Sequence, residues 1–397
     1  MYSLKELYKI GNGPSSSHTM GPKKATLEVL QNYPYATYIK VVLYGSLALT
    51  GKGHLTDEII SKTLNTIPHD IIFDFSTPTN HPNTMQFIVY QNDKIVCDVF
   101  YESIGGGTVV LQGQKKEDTV IYPHHNLEEI KHFCCNNHLS FDEYIDLFEK
   151  DIDLYLDNIL CVMENSVLNG IAKEGYLPGT LKTQRKAKNL FHKAQQETNP
   201  SLKEKAYLIA YAFAAAEENA SGGEIVTAPT CGASGILPAL VYYYHHNLNY
   251  QKEEIIKALK VAGLFGNVVK KNASISGAEC GCQAEIGTAC SMGAIFVSSL
   301  LNGTLKEIET SAEIALEHHL GLTCDPILGY VQIPCIERNA VATLRSIDSS
   351  HLALLLRDFN SKISFDVVVA TMKETGCDLH THYRETSLGG LAKKYKI

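Results

Sequence analysis

The hydrophobic pattern of this chain changes from strand spacing to helix spacing at about residue 140. Before that point, residues 38–49 alternate with the two-residue period of a strand, and residues 69–75 give a second, shorter strand pattern. Helices are predicted there at about 20–32 and 56–66. After it, apolar residues recur at helical spacing in successive segments separated by Gly, Pro and Asn. We therefore expect an α+β part followed by an all-α part.

A β-hairpin is predicted in the first part, where the segments MQFIVY and KIVCDVFY flank the turn Gln91-Asn92-Asp93. The segment SIGGGTVVLQ follows, with a Gly-rich turn and another short strand. A length of 397 residues allows two domains, each with its own core. We predict these domains at residues 1–140 and 141–397, with a boundary somewhere between residues 125 and 150.

Composition excludes several classes of protein. The net charge of −8 and the absence of a Lys/Arg run argue against nucleic acid or an anionic membrane surface as a partner. No apolar stretch has the length of a membrane span, and the first residues have no apolar core of signal-peptide length. We therefore expect a cytoplasmic protein, in which the eleven cysteines stay reduced or bind metal rather than form disulfides.

Three of these cysteines, Cys282, Cys324 and Cys335, each lie beside a glycine, a proline or another turn-forming residue. Three thiolates can hold a [4Fe–4S] cluster and leave one iron open as a Lewis acid. Buried cysteines that merely fill a core would give the same spacing, which therefore does not decide between the two. A structural zinc site is the weakest alternative, because zinc ligands usually include close C-x2–4-C pairs and none is present. Cys280 competes with Cys282 as a ligand.

The loop at residues 11–22 has the sequence GNGPSSSHTMGP and precedes a predicted helix. Its hydroxyl groups and backbone amides could bind a carboxylate, and the alternative is an ordinary Ser-rich helix cap. The candidate residues of this loop are Ser15, Ser16, Ser17, His18 and Thr19.

Three other segments carry candidate residues. Lys52 and His54 lie in a loop between a strand and a helix, where His54 is either a base or a solvated side chain. Gly105 and Gly106 lie in a Gly-rich turn that lacks the Gly-Lys-Ser/Thr ending of a phosphate loop. Arg384 could bind a carboxylate through two hydrogen bonds or form a structural ion pair.

Nine segments together resemble, in order along the chain, the iron–sulfur-dependent L-serine dehydratases (L-serine ammonia-lyases) of the single-chain bacterial type. They are GPSSSHT, YGSLALTGKGH, HPNTM, SIGGG, LPGTLKTQRKA, APTCGASG, ISGAECGCQAEIG, GLTCDPILGYVQIPC and TGCDLHTHYRETSLGGLA. The resemblance extends over nearly the whole chain. It implies an N-terminal α+β domain related to an allosteric substrate-binding fold, followed by a helical domain that carries the cluster.

The resemblance also implies roles for the candidate residues. Cys282, Cys324 and Cys335 would hold a [4Fe–4S] cluster. His54 would remove the Cα proton of L-serine, with His18 as the second candidate for this base. The substrate would be bound by Ser15, Ser16, Ser17, Thr19, Lys52, Gly105, Gly106 and Arg384. A homodimer is expected.

The chain departs from the family pattern at its end. Some single-chain relatives finish with a cysteine that acts as a fourth iron ligand, whereas here residues 393–397 read KKYKI and the last cysteine is Cys377. Water or substrate would then occupy the fourth iron position. Two other functions remain open from the sequence: a related cluster-dependent lyase acting on L-cysteine or another β-substituted amino acid, and a non-catalytic iron–sulfur sensor that binds an amino acid.

Overall fold

The computed structural model describes residues 1–114 and 119–395, so the predicted tail residues Lys396 and Ile397 lie outside it. An α+β part precedes a largely helical part, which confirms the predicted fold class. The described strands are β1 (Ile10–Asn12), β2 (Tyr38–Tyr44), β3 (His69–Asp74), β4 (Thr84–Gln91), β5 (Lys94–Ser103), β6 (Val109–Leu111) and β7 (Glu224–Val226). The described helices are α1 (Gly21–Asn32), α2 (Gly45–Thr50), α3 (Thr56–Leu64), α4 (Leu127–Asn137), α5 (Phe141–Phe148), α6 (Ile152–Ala172), α7 (Ala187–Gln196), α8 (Pro200–Ala220), α9 (Ile236–Tyr242), α10 (Lys252–Asn272), α11 (Gly277–Cys280), α12 (Thr288–Leu300), α13 (Leu305–Glu317), α14 (Cys335–Leu355), α15 (Phe365–Asp378) and α16 (Gly390–Lys394).

The α+β part is built on a five-stranded sheet in the order β3-β2-β4-β5-β6. Strands β2 and β3 run parallel, and the other pairs are antiparallel. Alternate residues Ile39, Val41 and Leu43 of β2 point to one face, where they are fully buried with residues of α1 and α3. This alternation is the period-2 pattern from which the sequence predicted the strand.

The predicted hairpin is confirmed, because β4 and β5 pair antiparallel. The two residues between them, Asn92 and Asp93, have φ angles of 49° and 64°, as the favoured two-residue hairpin turn requires.

The predicted strand at 38–49 was wrong beyond Tyr44, since residues 45–50 form the helix α2. Gly45 ends the strand with a φ of 52°, and a Cβ at this position would lie 2.6 Å from the carbonyl oxygen of Pro82. Glycine is therefore needed for the turn that leads the chain toward His54.

The helical part has one large buried core, to which residues before its predicted start also contribute. Leu4, Leu7 and Tyr8 are buried in it, as are residues of α4. In addition β1 pairs antiparallel with β7, a contact that the sequence did not reveal because each strand has three residues. The domain boundary near residue 140 therefore stays a prediction.

No helix among the described residues is both long and apolar enough to cross a membrane.

Close packing of α6 against α8 depends on Gly170, where a Cβ would lie 2.2 Å from the carbonyl oxygen of Ala214. We expect Gly170→Ala to push the two helices apart and to lower the free energy of unfolding by about 1–3 kcal/mol, the usual cost of overpacking. Urea unfolding measures the change. Asn169→Ala, at the exposed neighbouring position, is the control, and equal stability of the two variants would contradict the packing argument.

Candidate active site

A cavity of about 250 Å³ lies between loops of the α+β part and the helical part. The α+β part contributes Ser15, Ser16, Ser17, His54, Gly105 and Gly106 to its wall. The helical part contributes three thiols and two carboxylic acids, Cys282, Cys324, Cys335, Glu285 and Glu385. Residues far apart in the sequence thus meet at one site.

The three predicted ligand cysteines lie together on the wall of this cavity. Cys282 immediately precedes the π-helical turn Gln283–Gly287, and Cys335 is the first residue of α14. A hydrogen bond from Cys324 holds the pKa of the Cys282 thiol below its usual value, with help from the charge of Arg338, while the same bond raises the pKa of Cys324. Burial raises the pKa of Cys335. Thiols of this kind are the usual ligands of iron–sulfur clusters.

Gly281 determines which of two neighbouring cysteines faces the cavity. Its φ is 73°, and a Cβ there would lie 2.7 Å from Leu379 Cδ1 and 2.9 Å from the carbonyl oxygen of Leu322. Cys282 follows this turn into the cavity wall, whereas Cys280 is not part of the wall and packs against Gly376 of α15. The geometry therefore favours Cys282 over its competitor.

Arg338 lies behind the thiols, one helical turn after Cys335 on α14. Its guanidinium donates to the carbonyl oxygen of Thr323 at 2.6 Å and lies 3.5 Å from Asp325 Oδ1. It also forms a hydrogen bond with Cys282, and the nearby thiols help to raise the pKa of Arg338 against the opposing effect of burial. A fixed positive charge beside the thiols favours their deprotonated form.

His54 lines the cavity and is fully buried. The Nδ1 atom lies 3.1 Å from the carbonyl oxygen of Thr50 and must carry the proton of that bond, since a carbonyl oxygen only accepts. The Nε2 atom then carries a lone pair, and among the described residues it has no hydrogen-bond partner. Burial lowers the pKa of His54 to about 4, so the ring is neutral near pH 7.

His18 and Thr19 support His54 and do not themselves line the cavity. The ring centroids of His18 and His54 are 4.5 Å apart, and the two ring nitrogens of His18 bond to the hydroxyls of Ser17 and Ser46. Thr19 Oγ1 donates to the carbonyl oxygen of His54 at 2.8 Å. Burial lowers the pKa of His18 as well, and the neighbouring His54 adds to the effect. Their arrangement fits a positioning role.

Hydrogen bonds join the loop at residues 11–22, called the serine loop below, to the helical part. The backbone N–H of Cys231 donates to Ser16 Oγ at 3.1 Å, and this hydroxyl donates in turn to Cys231 Sγ at 3.2 Å. Asn219 Nδ2 donates to the carbonyl oxygen of Pro14 at 3.1 Å. These contacts hold the hydroxyls of the loop opposite the thiols.

Two predicted substrate ligands lie elsewhere. Lys52 places its ammonium 5.4 Å from the ring centroid of Phe73. Arg384 directs Nη1 to the carbonyl oxygen of Glu279 at 3.3 Å. Neither belongs to the cavity wall, so direct contact with substrate is not supported for them, whereas Gly105 and Gly106 do lie at the wall.

The sequence analysis missed two acids at the cavity. Glu285 follows Cys282 by three residues and accepts a hydrogen bond of 2.7 Å from Thr230 Oγ1, and burial raises its pKa. Burial also raises the pKa of Glu385 to about 8, with smaller contributions from Glu285 and Cys282. Both acids stand inside the motifs quoted above. For Glu285 the nearby cysteines of the motif AECGCQAEIG were the available signal, whereas no cysteine stands close to Glu385 in the sequence.

The chain matches two family models. The model described as "Serine dehydratase alpha chain" matches residues 49–392, and the one described as "Serine dehydratase beta chain" matches residues 3–68. The first match covers most of the chain. The chain therefore belongs to the serine dehydratase family.

Relatives that align over their full length show which type of serine dehydratase the chain resembles. The L-serine dehydratase of Haemophilus influenzae is 38% identical, with 99% of each chain covered. L-serine dehydratase 1 of Escherichia coli is 37% identical over 99% of each chain, and the L-serine dehydratase of Helicobacter pylori (strain 26695) is 37% identical over 100% of this chain and 99% of its own. The predicted single-chain type, with both parts in one polypeptide, is thereby confirmed. The alignment with the Haemophilus protein spans 454 positions, more than the 397 residues of this chain, so that relative has additional residues inside the aligned region.

The assignment of Cys282 as a cluster ligand predicts that Cys282→Ser loses most of the iron, because Cys282 lines the cavity and the remaining two thiols cannot replace it. Cys280→Ser should keep the iron of the unmodified protein, about four atoms per chain for a [4Fe–4S] cluster. Iron and sulfide analysis of anaerobically purified variants measures the difference. Equal loss in both variants, or retention in Cys282→Ser, would remove Cys282 from the ligand set.

Proposed function

We propose that the chain is an L-serine ammonia-lyase that converts L-serine to pyruvate and ammonia, with a [4Fe–4S] cluster held by Cys282, Cys324 and Cys335. One observation carries this proposal: Cys282, Cys324, Cys335 and His54 line the same cavity. The Nε2 atom of His54 has no hydrogen-bond partner among the described residues. The names of the full-length relatives support the substrate and the reaction. We extend the proposal to the expected homodimer, the cytoplasmic location and the division into domains near residue 140.

The residues of the site fit such a cluster. Its ligands must be thiolates, and Cys282 has a lowered pKa beside the charge of Arg338. When bound, the cluster would supply a Lewis-acidic iron for the hydroxyl group of L-serine, a poor leaving group without such help.

His54 is suited to remove the Cα proton. Its Nδ1 proton is engaged by Thr50, so Nε2 is the atom that accepts the proton. Because burial keeps the ring neutral, this lone pair is available near pH 7. The contacts of His18 and Thr19 hold the residue in place.

The carboxylate of L-serine needs hydrogen-bond donors, and its α-ammonium needs negatively charged acceptors. The hydroxyls of Ser15, Ser16 and Ser17 can donate hydrogen bonds to the carboxylate. The acids Glu285 and Glu385 can bind the α-ammonium, whose charge would in turn favour their ionised forms. Loss of the Cα proton and of the β-hydroxyl gives aminoacrylate and water, and the aminoacrylate hydrolyses to pyruvate and ammonia.

Anaerobic assay of the iron-loaded protein tests the function. We expect pyruvate and ammonia in equal amounts from L-serine. Sulfide release from L-cysteine at a higher kcat/KM would favour the lyase with the other substrate. An intact cluster without turnover of any β-substituted amino acid would favour the sensor and would refute the proposed enzyme.

Replacement of the base should stop turnover without loss of the metal. We expect His54→Ala to lower kcat by about 10²–10⁴, the usual contribution of a general base, while iron content stays unchanged. His69→Ala, which removes an imidazole of β3 outside the cavity wall, is the control. Near-normal kcat in His54→Ala would place the base elsewhere.

The pH profile gives a second test of the same assignment. A base with a pKa of about 4 is lost only as pH falls toward that value, so kcat at saturating L-serine should show no acid limb near pH 6.5. A limb at pH 6.5 that disappears in His54→Ala would contradict the burial argument.

A further inference from the structure

Glu164, His245 and His246 form a compact cluster outside the thiol cavity. Their ligand atoms all lie within 4.8 Å of one another. His245 Nδ1 is 2.6 Å and His246 Nε2 is 2.8 Å from the same oxygen, Glu164 Oε1. None of the three residues lines the cavity.

The convergence of two adjacent histidines depends on the local backbone. Consecutive side chains of an α-helix point about 100° apart, which ordinarily separates them. Here α9 continues into the five-residue π-helical turn Tyr243–Asn247, and π-helical turns often occur at functional sites. One ring uses its near nitrogen and the other its far nitrogen, so both reach Glu164 on α6.

Neighbouring rings pack against the two imidazoles, and the carboxylate of Glu164 forms its hydrogen bonds with the histidines. The ring of Tyr242 packs on His246, with centroids 4.4 Å apart, and the two imidazoles are 4.5 Å apart. Lys252 forms its ion pair with Asp157, two turns before Glu164 on α6. Within the described residues, both side-chain hydrogen bonds of Glu164 come from imidazoles.

We propose that Glu164, His245 and His246 bind a divalent transition metal ion of the class represented by Zn²⁺, with water completing the coordination. Two imidazoles and one carboxylate are a donor set that such ions accept in proteins. Ligand atoms around a tetrahedral ion at about 2.0–2.1 Å lie roughly 3.3 Å apart. Glu164 Oε1 lies closer than this to both imidazole nitrogens, so the carboxylate would move away from the rings when the ion binds.

The bound ion would join α6 to the turn that ends α9. The side chains of Glu164 and His245 are 18% and 24% exposed, so the site is open enough for an ion to enter and sufficiently buried to be held by packed elements. It would be a second metal site, independent of the thiols and of the proposed dehydratase activity.

Zn²⁺ is the probe. The iron-loaded protein is dialysed anaerobically against chelator-buffered Zn²⁺, and the zinc, iron and sulfide content per chain is measured. Zinc that replaces iron at the thiols is identified by an accompanying loss of iron. We expect one zinc per chain at constant iron. Glu164→Gln and His246→Ala should each weaken Zn²⁺ affinity tenfold or more, since even loss of a residue behind a ligand has such an effect.

Two control variants test whether zinc binding depends specifically on Glu164, His245 and His246. His192→Ala removes an exposed imidazole of α7 and should bind zinc like the unmodified chain. Cys161→Ser removes an exposed thiol one turn before Glu164 and should do the same. A loss in Cys161→Ser as large as in His246→Ala would overturn the proposed set. Equal zinc binding by Glu164→Gln and the unmodified chain, or no zinc bound by correctly folded unmodified protein, would overturn the site.

Discussion

The candidate site depends on the attachment of the serine loop to the helical part. Strand β1 pairs with β7, the N–H of Gly13 donates to the carbonyl oxygen of Gly223 at 3.1 Å, and Ser16 and Cys231 exchange hydrogen bonds. These contacts join residues about 200 positions apart in the sequence. Without them the hydroxyls and His54 would stand on one part of the molecule and the thiols on another, because neither part alone carries both kinds of group.

Burial is the second constraint on the chemistry. It lowers the pKa of His54 and raises those of Glu285 and Glu385, so each of these groups is shifted toward its neutral form. Arg338 is the exception, since a guanidinium keeps its charge near neutral pH and stands beside Cys282. The cluster and the substrate ammonium proposed above would bring the compensating charge, the first to the thiols and the second to the acids.

The sequence predicted features that local patterns encode, and failed where distant contacts decide. The hairpin followed from two strand patterns and Asn92-Asp93, and the fold class from the change of period. The end of β2 depends on the approach of Gly45 to Pro82, which no local pattern shows. The β1–β7 pair was missed for the same reason. At the site, the motifs contained the residues, but only the fold separates Cys282 from Cys280 and brings Glu285 and Glu385 to the cavity. The fold also leaves Lys52 and Arg384 outside the cavity wall.

The left-handed turn at Gly281 has a consequence for the tolerance of this site to change. Two sulfurs separated by one residue would, in a flexible segment, be able to substitute for each other. Here the backbone is held between Leu379 and Leu322, so a thiol at 280 is directed toward α15 whatever happens at 282. Cys280 therefore cannot replace Cys282 when Cys282 is lost. A bulkier residue at position 281 would move the thiol of an intact Cys282 out of the cavity wall, with the same effect as removing that thiol.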